Sequence, residues 1–222
     1  VANFPATLPM FFKTFCALYA DVEAVIAGDE RLTFHQLDEL SDSVARGLVA
    51  GGIGKGDRIG IAMRNCPAWI VSYMAILKAG AVATLLNGWW QPDELDHALQ
   101  LSKAKLILAD GPRAERIAAT CATCQVETID IGKHCPEAFA KLLAGGSDDI
   151  ALPEVAPDDD ATILFTSGST GEAKGALSTH RAVTTGVYAY ATALMTLRGI
   201  LESEGRPPPN PLKTLVVVPL FH

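Results

Sequence analysis

Between Thr166 and Gly175 the chain reads TSGSTGEAKG, ten residues that hold three glycines, four hydroxyl side chains and one lysine. Glycine reaches positive φ and lets backbone approach a ligand closely, hydroxyls donate to oxygen, and Lys174 supplies positive charge, so the set suits an oxygen-rich anion such as phosphate. Composition alone is shared with flexible linkers; the neighbours distinguish the two cases. Before the loop, ATILF has the pattern of a buried strand, and a helical pattern begins near Ser178. The expected order is strand, glycine-rich turn, helix, an arrangement in which backbone N–H groups converge on a phosphate.

Two familiar nucleotide fingerprints fail on this string. A Walker A sequence counted from Gly168 needs glycine at Ala173 and a hydroxyl at Gly175, and the Rossmann spacing does not fit Gly168, Gly171 and Gly175. That disfavours a P-loop phosphotransferase. His180, five residues beyond Gly175, is expected to cap or pack at the helix start rather than to react.

The elements that must position this loop alternate along the chain. Leu37, Leu40, Val44 and Leu48 recur at helical steps, and Gly51-Gly52 ends that stripe. DRIGIAM then reads as a buried strand. A helix from Pro67 to Lys78 follows, with Trp69, Ile70, Tyr73, Met74 and Leu77 on its apolar face, then the strands AVATLL and KLILAD on either side of the helix PDELDHALQLS. Two strand-helix-strand units therefore run from Arg58 to Asp110, and the fold class is α/β with a largely parallel sheet. The acidic, proline-bearing GGSDDIALPEVAPDDDA is an exposed connection, dividing residues 1–150 from a second subdomain, 151–222, that carries the loop. The end of the chain, TLVVVPLF, is expected to form a further strand with an apolar edge.

A chain of 222 residues, 49% hydrophobic, can bury a substantial core. Its net charge of -7 argues against nucleic acid and against anionic membrane surfaces as partners. Cys16, Cys66, Cys121, Cys124 and Cys135 form an odd, irregular set, which indicates a reducing, cytoplasmic setting. Cys121 and Cys124 have the spacing of half a zinc knuckle, but no second clean pair follows, and two ordinary thiols are expected. No apolar run reaches the roughly 20 residues of a membrane helix.

The loop closely resembles the signature [ST]SG[ST]TGxPKG of the adenylate-forming superfamily, which includes acyl-CoA synthetases, luciferases and the adenylation domains of peptide synthetases. Ala173 stands where that family usually has proline. LTFHQLDELSDSVARGLVAGGIGKGDRIGI is similar to the family's entry segment, NCPAWIVSYMAILKAGAVATLLN to the stretch after it, and VVVPLFH to its next core motif. The resemblance thus spans about residues 31–222 in the family's order.

The resemblance implies the N-terminal portion of the adenylate-forming fold, built in stacked αβαβα layers. It further implies that ATP with Mg2+ and a carboxylic acid give an acyl-adenylate and pyrophosphate, after which coenzyme A takes the acyl group. On this basis Thr166, Ser167, Gly168, Ser169, Thr170, Gly171 and Lys174 bind ATP, Lys174 acts in catalysis, and His222 lies beside the carboxylate being activated; no residue is assigned to a metal. The acid is expected to be fatty or aromatic, with an amino-acid adenylation domain as the alternative. The family's adenine and ribose motifs, and its C-terminal domain with a catalytic lysine, come after PLFH. The chain is accordingly expected to be an inactive N-terminal fragment of a longer ligase, or else a catalytically silent phosphate- or acyl-binding module; a homodimer is compatible with either. Trp89 and Trp90 could line the acyl site or pack in the core.

Overall fold

The computed structural model describes residues 5–167, with the backbone alone of Ser167, then 173–208 and 213–221. Its elements run α1 (Leu8–Leu18), β1 (Glu23–Ala27), β2 (Glu30–Thr33), α2 (Phe34–Ala50), β3 (Arg58–Ala62), α3 (Pro67–Lys78), β4 (Val82–Leu85), α4 (Pro92–Ser102), β5 (Leu106–Ala109), α5 (Gly111–Thr120), β6 (Val126–Thr128), α6 (Cys135–Ala138), α7 (Ala140–Gly145), β7 (Asp160–Ser167), β8 (Ala173–Thr179) and α8 (His180–Ser203). β1 and β2 form a small antiparallel ribbon, and the other strands form one sheet in the order β6-β5-β3-β4-β7-β8. All its pairings are parallel except the last, β7 with β8.

The central strands are buried on both faces, as parallel strands roofed by helices must be. Alternation divides their side chains between two cores. Leu108 faces a core shared with Val44, Leu48, Val71 and Ile76 of α2 and α3, while Ile107 and Ala109 face another with Leu95 and Leu99 of α4 and Ile117 of α5.

Local chemistry sets the helix ends. Thr33 and Gln36 form a reciprocal capping box at the start of α2, Gln91 and Glu94 do the same for α4, and Pro67 opens α3 where a missing N–H costs nothing. The expected stripe of α2 is the one that packs inward. α3, expected to be amphipathic, is instead buried almost all round, because α1 and α2 cover the side turned away from the sheet.

Lys78 ends α3 at 6% exposure. Its Nζ donates to Asp38 Oδ1 and Asp42 Oδ1, each at 2.6 Å, and to Ser41 Oγ at 2.9 Å, and it lies 5.3 Å from the centroid of the Phe12 ring. One ammonium thus joins α1, α2 and α3. Replacing it leaves two neighbouring carboxylates without their cation, so Lys78→Ala should destabilise the fold by about 2 to 3 kcal/mol. The shift in urea midpoint measures this, and an unchanged midpoint would refute it.

The acidic connection lies along the surface before β7, which re-enters the same sheet beside β4. Lys55 Nζ pairs with Asp159 Oδ2 at 2.6 Å and donates to the Glu154 carbonyl at 3.2 Å, so the connection is held rather than loose. His180, the first residue of α8, is fully buried and packs there as expected. Its Nδ1 accepts from the Leu8 N–H at 3.4 Å, which requires that nitrogen to be unprotonated, and its Nε2 finds no hydrogen-bond partner among the described residues.

Burial lowers the His180 pKa, and nearby Lys55 adds to this against an opposing pull from Asp159. Between that lowered value and the ordinary ~6.5 the unfolded chain binds more protons. The stabilisation from this group is therefore complete above about pH 6.5 and declines as pH falls through the window to the folded-state pKa. Denaturation midpoints should drop from about pH 7.5 to about pH 5.5, and His180→Asn, which keeps an acceptor near the Nδ1 position without a titrating ring, should reduce that drop.

Three expectations are corrected here. The glycine-rich loop does not run into a helix, because β8 lies between them and turns the segment into a hairpin; the complementary register from Thr162↔Ser178 to Ser167↔Ala173 favours a second strand. TLVVVPLF does not form a strand among the described residues, and Leu215 to Val218 are exposed with no ladder partner. Cys121 and Cys124 are not two separate thiols but a disulfide. Cys121 ends α5, and a turn closed by the Cys124 N–H on the Cys121 carbonyl brings their Cα atoms to 5.5 Å. Cys16, Cys66 and Cys135 are free, and burial raises the Cys16 thiol pKa to about 11.

Candidate active site

In a sheet of this kind the loops that leave the carboxyl ends of the parallel strands share one edge, and ligands bind there. After β3 the edge carries Arg64 and Asn65, after β4 Asn87 to Trp90, after β5 Asp110 to Arg113, and after β7 the glycine-rich loop.

Asp110 is fully buried and organises two of these loops. Its carboxylate accepts from the Arg64 N–H at 3.0 Å and the Arg113 N–H at 3.2 Å, and it pairs with the Arg113 guanidinium at 3.0 Å. Arg116 of α5 donates to the Gly88 and Trp90 carbonyls at 2.9 and 3.3 Å, fixing the loop after β4. Gly88 is required there, since a Cβ would lie 2.6 Å from Arg113 Nε.

The two tryptophans divide their tasks. Trp90 is buried and meets Phe165 of β7 edge to face at 5.1 Å, and Trp89 is exposed and meets Phe221 at 5.4 Å. Trp90 is thus core, and Trp89 stands at the carboxyl edge. Asn65 holds the last described segment from the other side, donating to the Val218 carbonyl at 2.8 Å and accepting from the Leu220 N–H at 2.9 Å. Phe221, between these anchors, is buried in the core of α2 and α3.

Of the expected site residues, Thr166 and Lys174 face each other across the hairpin, and both are exposed. Alternation from Leu164 puts this pair on the sheet face of the core that holds Phe221, whereas Phe165 and Ala173 turn to the opposite core. The described feet of the glycine-rich segment and the terminal segment therefore lie at one edge and on one face. Ser167 closes the ladder opposite Ala173, and its side chain, like Gly168, Ser169, Thr170, Gly171 and His222, lies outside the described residues. Because β8 follows, the N-terminus of α8 at His180 is removed from these feet by the length of a strand.

Sequence reasoning missed Asn65 and Asp110. Each is positioned just after a parallel strand, and that position was the available signal. Asn65→Ala should remove two hydrogen bonds to the terminal segment, each contributing about 0.5 to 1.5 kcal/mol, and so speed amide exchange at Leu220 roughly 5- to 150-fold. Unchanged protection at Leu220 would show that Phe221 packing alone seats the segment.

The family model of the AMP-binding enzyme matches residues 12–222. Among curated proteins, the chain is 31% identical over 197 residues to acyl-CoA ligase SID4 of Ajellomyces capsulatus, covering 78% of this chain and 33% of that protein. It is 31% identical over 179 residues to the medium/long-chain-fatty-acid–CoA ligase FadD6 of Mycobacterium tuberculosis (80% and 30%), and 36% identical over 165 residues to the phosphinothricin tripeptide synthetase PhsC of Streptomyces viridochromogenes (74% and 14%). The chain spans a third or less of the length of these relatives. Among solved structures, the inhibitor-bound N-terminal domain of FACL13 from Mycobacterium tuberculosis matches with a TM-score of 0.68 at 26% identity, over 78% of this chain and 44% of that one.

Proposed function

Because the chain belongs to the AMP-binding, adenylate-forming enzyme family, we propose that the protein carrying it activates a carboxylic acid with ATP and then passes the acyl group to coenzyme A. In the first step a carboxylate oxygen bonds to the α-phosphorus and the bond to pyrophosphate breaks; in the second a thiol sulfur displaces AMP from the acyl carbon. Bringing two anions together and stabilising the departing pyrophosphate call for donors fixed around phosphate oxygens.

The observation that carries this reading is the hairpin, which opens a ten-residue Gly/Ser/Thr/Lys signature at the carboxyl edge, on the sheet face where the PLF segment is seated. On this reading Lys174 meets charge on the leaving group, and Thr166 to Gly171 bind its oxygens. His222 follows Phe221 directly and would stand beside the acyl carboxylate. Magnesium would enter with the nucleotide, held on its phosphates. A cytoplasmic location belongs to this reading as the expectation from an odd, irregular cysteine set, and the Cys121–Cys124 disulfide stands against it, since reducing compartments keep thiols open; no helix among the described residues is long and apolar enough to cross a membrane.

A second reading, an amino-acid adenylation domain, is favoured by the similarity to a peptide synthetase. The two differ in the acid taken and in the thiol that accepts it. Pyrophosphate release by the full-length protein across a panel of fatty, aromatic and amino acids separates them. In the same assay Lys174→Ala should raise the barrier to adenylate formation by about 2 to 4 kcal/mol, because a charge-assisted contact to the developing anion is lost. A rate equal to that of the parent would exclude this role for Lys174.

A further inference from the structure

We propose that His97 is a positioning residue for the glycine-rich loop, holding the residue at which the loop re-enters the sheet. Its Nε2 lies 3.1 Å from the Ala173 carbonyl oxygen, across 76 residues of sequence. A carbonyl only accepts, so Nε2 carries the hydrogen in this bond. Ala173 is the first residue of β8, it pairs in register with Ser167 at the last rung of the hairpin, and Lys174 follows it directly.

The other end of the bond is rigid. His97 sits half-buried in the middle of α4, whose start is fixed by the Gln91–Glu94 box and whose Leu95, Ala98 and Leu99 are buried against the sheet. The bond therefore ties the returning foot of the loop to a packed helix, while the outgoing foot is fixed through Phe165 on Trp90.

The residue held in this way is the one at which the loop departs from the pattern [ST]SG[ST]TGxPKG. A proline there would restrict the backbone through its ring; alanine does not, and the loop end would sample more conformations. The hydrogen bond from His97 supplies a restraint at that same residue without removing a backbone donor. This inference takes the loop to be the ATP phosphate clamp, as proposed above, but its first test does not depend on ATP.

Three variants separate reach from bulk. In glutamine the amide nitrogen lies as many bonds from Cβ as Nε2 does in histidine, in asparagine it falls one bond short, and alanine has no donor. Trypsin cleavage after Lys174 in the native protein is expected to quicken about fivefold in His97→Ala and His97→Asn, and to stay within about twofold of the parent in His97→Gln. Adding Ala173→Pro to His97→Ala should return cleavage toward the parent rate, since the ring replaces the lost restraint.

In the full-length protein, KM for ATP should rise about fivefold in His97→Ala while KM for the acid stays level, a split that general destabilisation would not produce. Parent-like cleavage in His97→Asn, a His97→Gln variant as labile as His97→Ala, or no rescue by Ala173→Pro would each overturn the proposal. Absence of acid-dependent pyrophosphate release in the parent would overturn the reading of the loop as an ATP clamp, while the cleavage series would still decide whether His97 holds Ala173.

Discussion

Parallel strands cannot be joined by a tight turn, and this one constraint arranges most of the molecule. The steps from β3 to β4 and from β4 to β5 have to cross through α3 and α4, so both faces are roofed and the strands between are buried on both sides. The same crossings send every strand-to-helix loop out at the carboxyl edge. Asn65, Trp89 and Asp110, far apart in sequence, are neighbours of that edge for no other reason than the direction of the strands they follow.

The sheet breaks its own rule once. β7 joins parallel to β4, but β8 comes straight back antiparallel, the one arrangement that a five-residue connection between them allows. A hairpin loop has two feet fixed by ladder hydrogen bonds and a free tip, whereas a strand-to-helix turn is held along its length by the first turn of the helix. The feet of the hairpin belong to the core, because Phe165 and the ladder below it are packed on Trp90. The difference also separates His180 from the chemistry, since β8 carries the chain away before α8 begins, and the histidine is buried against α1.

Much of this was legible in the residues. The period of Leu37, Val44 and Leu48, the proline that opens α3 and the apolar strands after each helix were sufficient for the α/β reading, since burial of those groups leaves few alternatives. The order of residues in the loop and its place behind an apolar strand, rather than its Gly/Ser/Thr/Lys content, pointed to the family. What was not legible depended on long-range pairing. AKGALST has too few bulky residues to announce a strand, and its extended form comes from the ladder with β7. The bond from His97 to Ala173 and the grip of Asn65 on Leu220 join residues 76 and 155 positions apart, and nothing local marks either. The Cys121–Cys124 bond depended on the turn after α5, which a spacing cannot specify.

The terminal segment is seated by side chains rather than by a sheet. Leu215 to Val218 are exposed aliphatic residues that have strand propensity but no ladder, so propensity alone did not suffice to make them a strand. Two residues later the chain is nonetheless fixed, because Asn65 satisfies one carbonyl and one N–H and the Phe221 ring finds a buried site beside Trp89. Side-chain capture of backbone does here what a neighbouring strand would do elsewhere. The consequence is that Phe221 is seated by the loops after β3 and β4 and not by the hairpin. The PLF segment and the Thr166–Lys174 rung thus hang from different strands of the same sheet, so that a change in one need not displace the other.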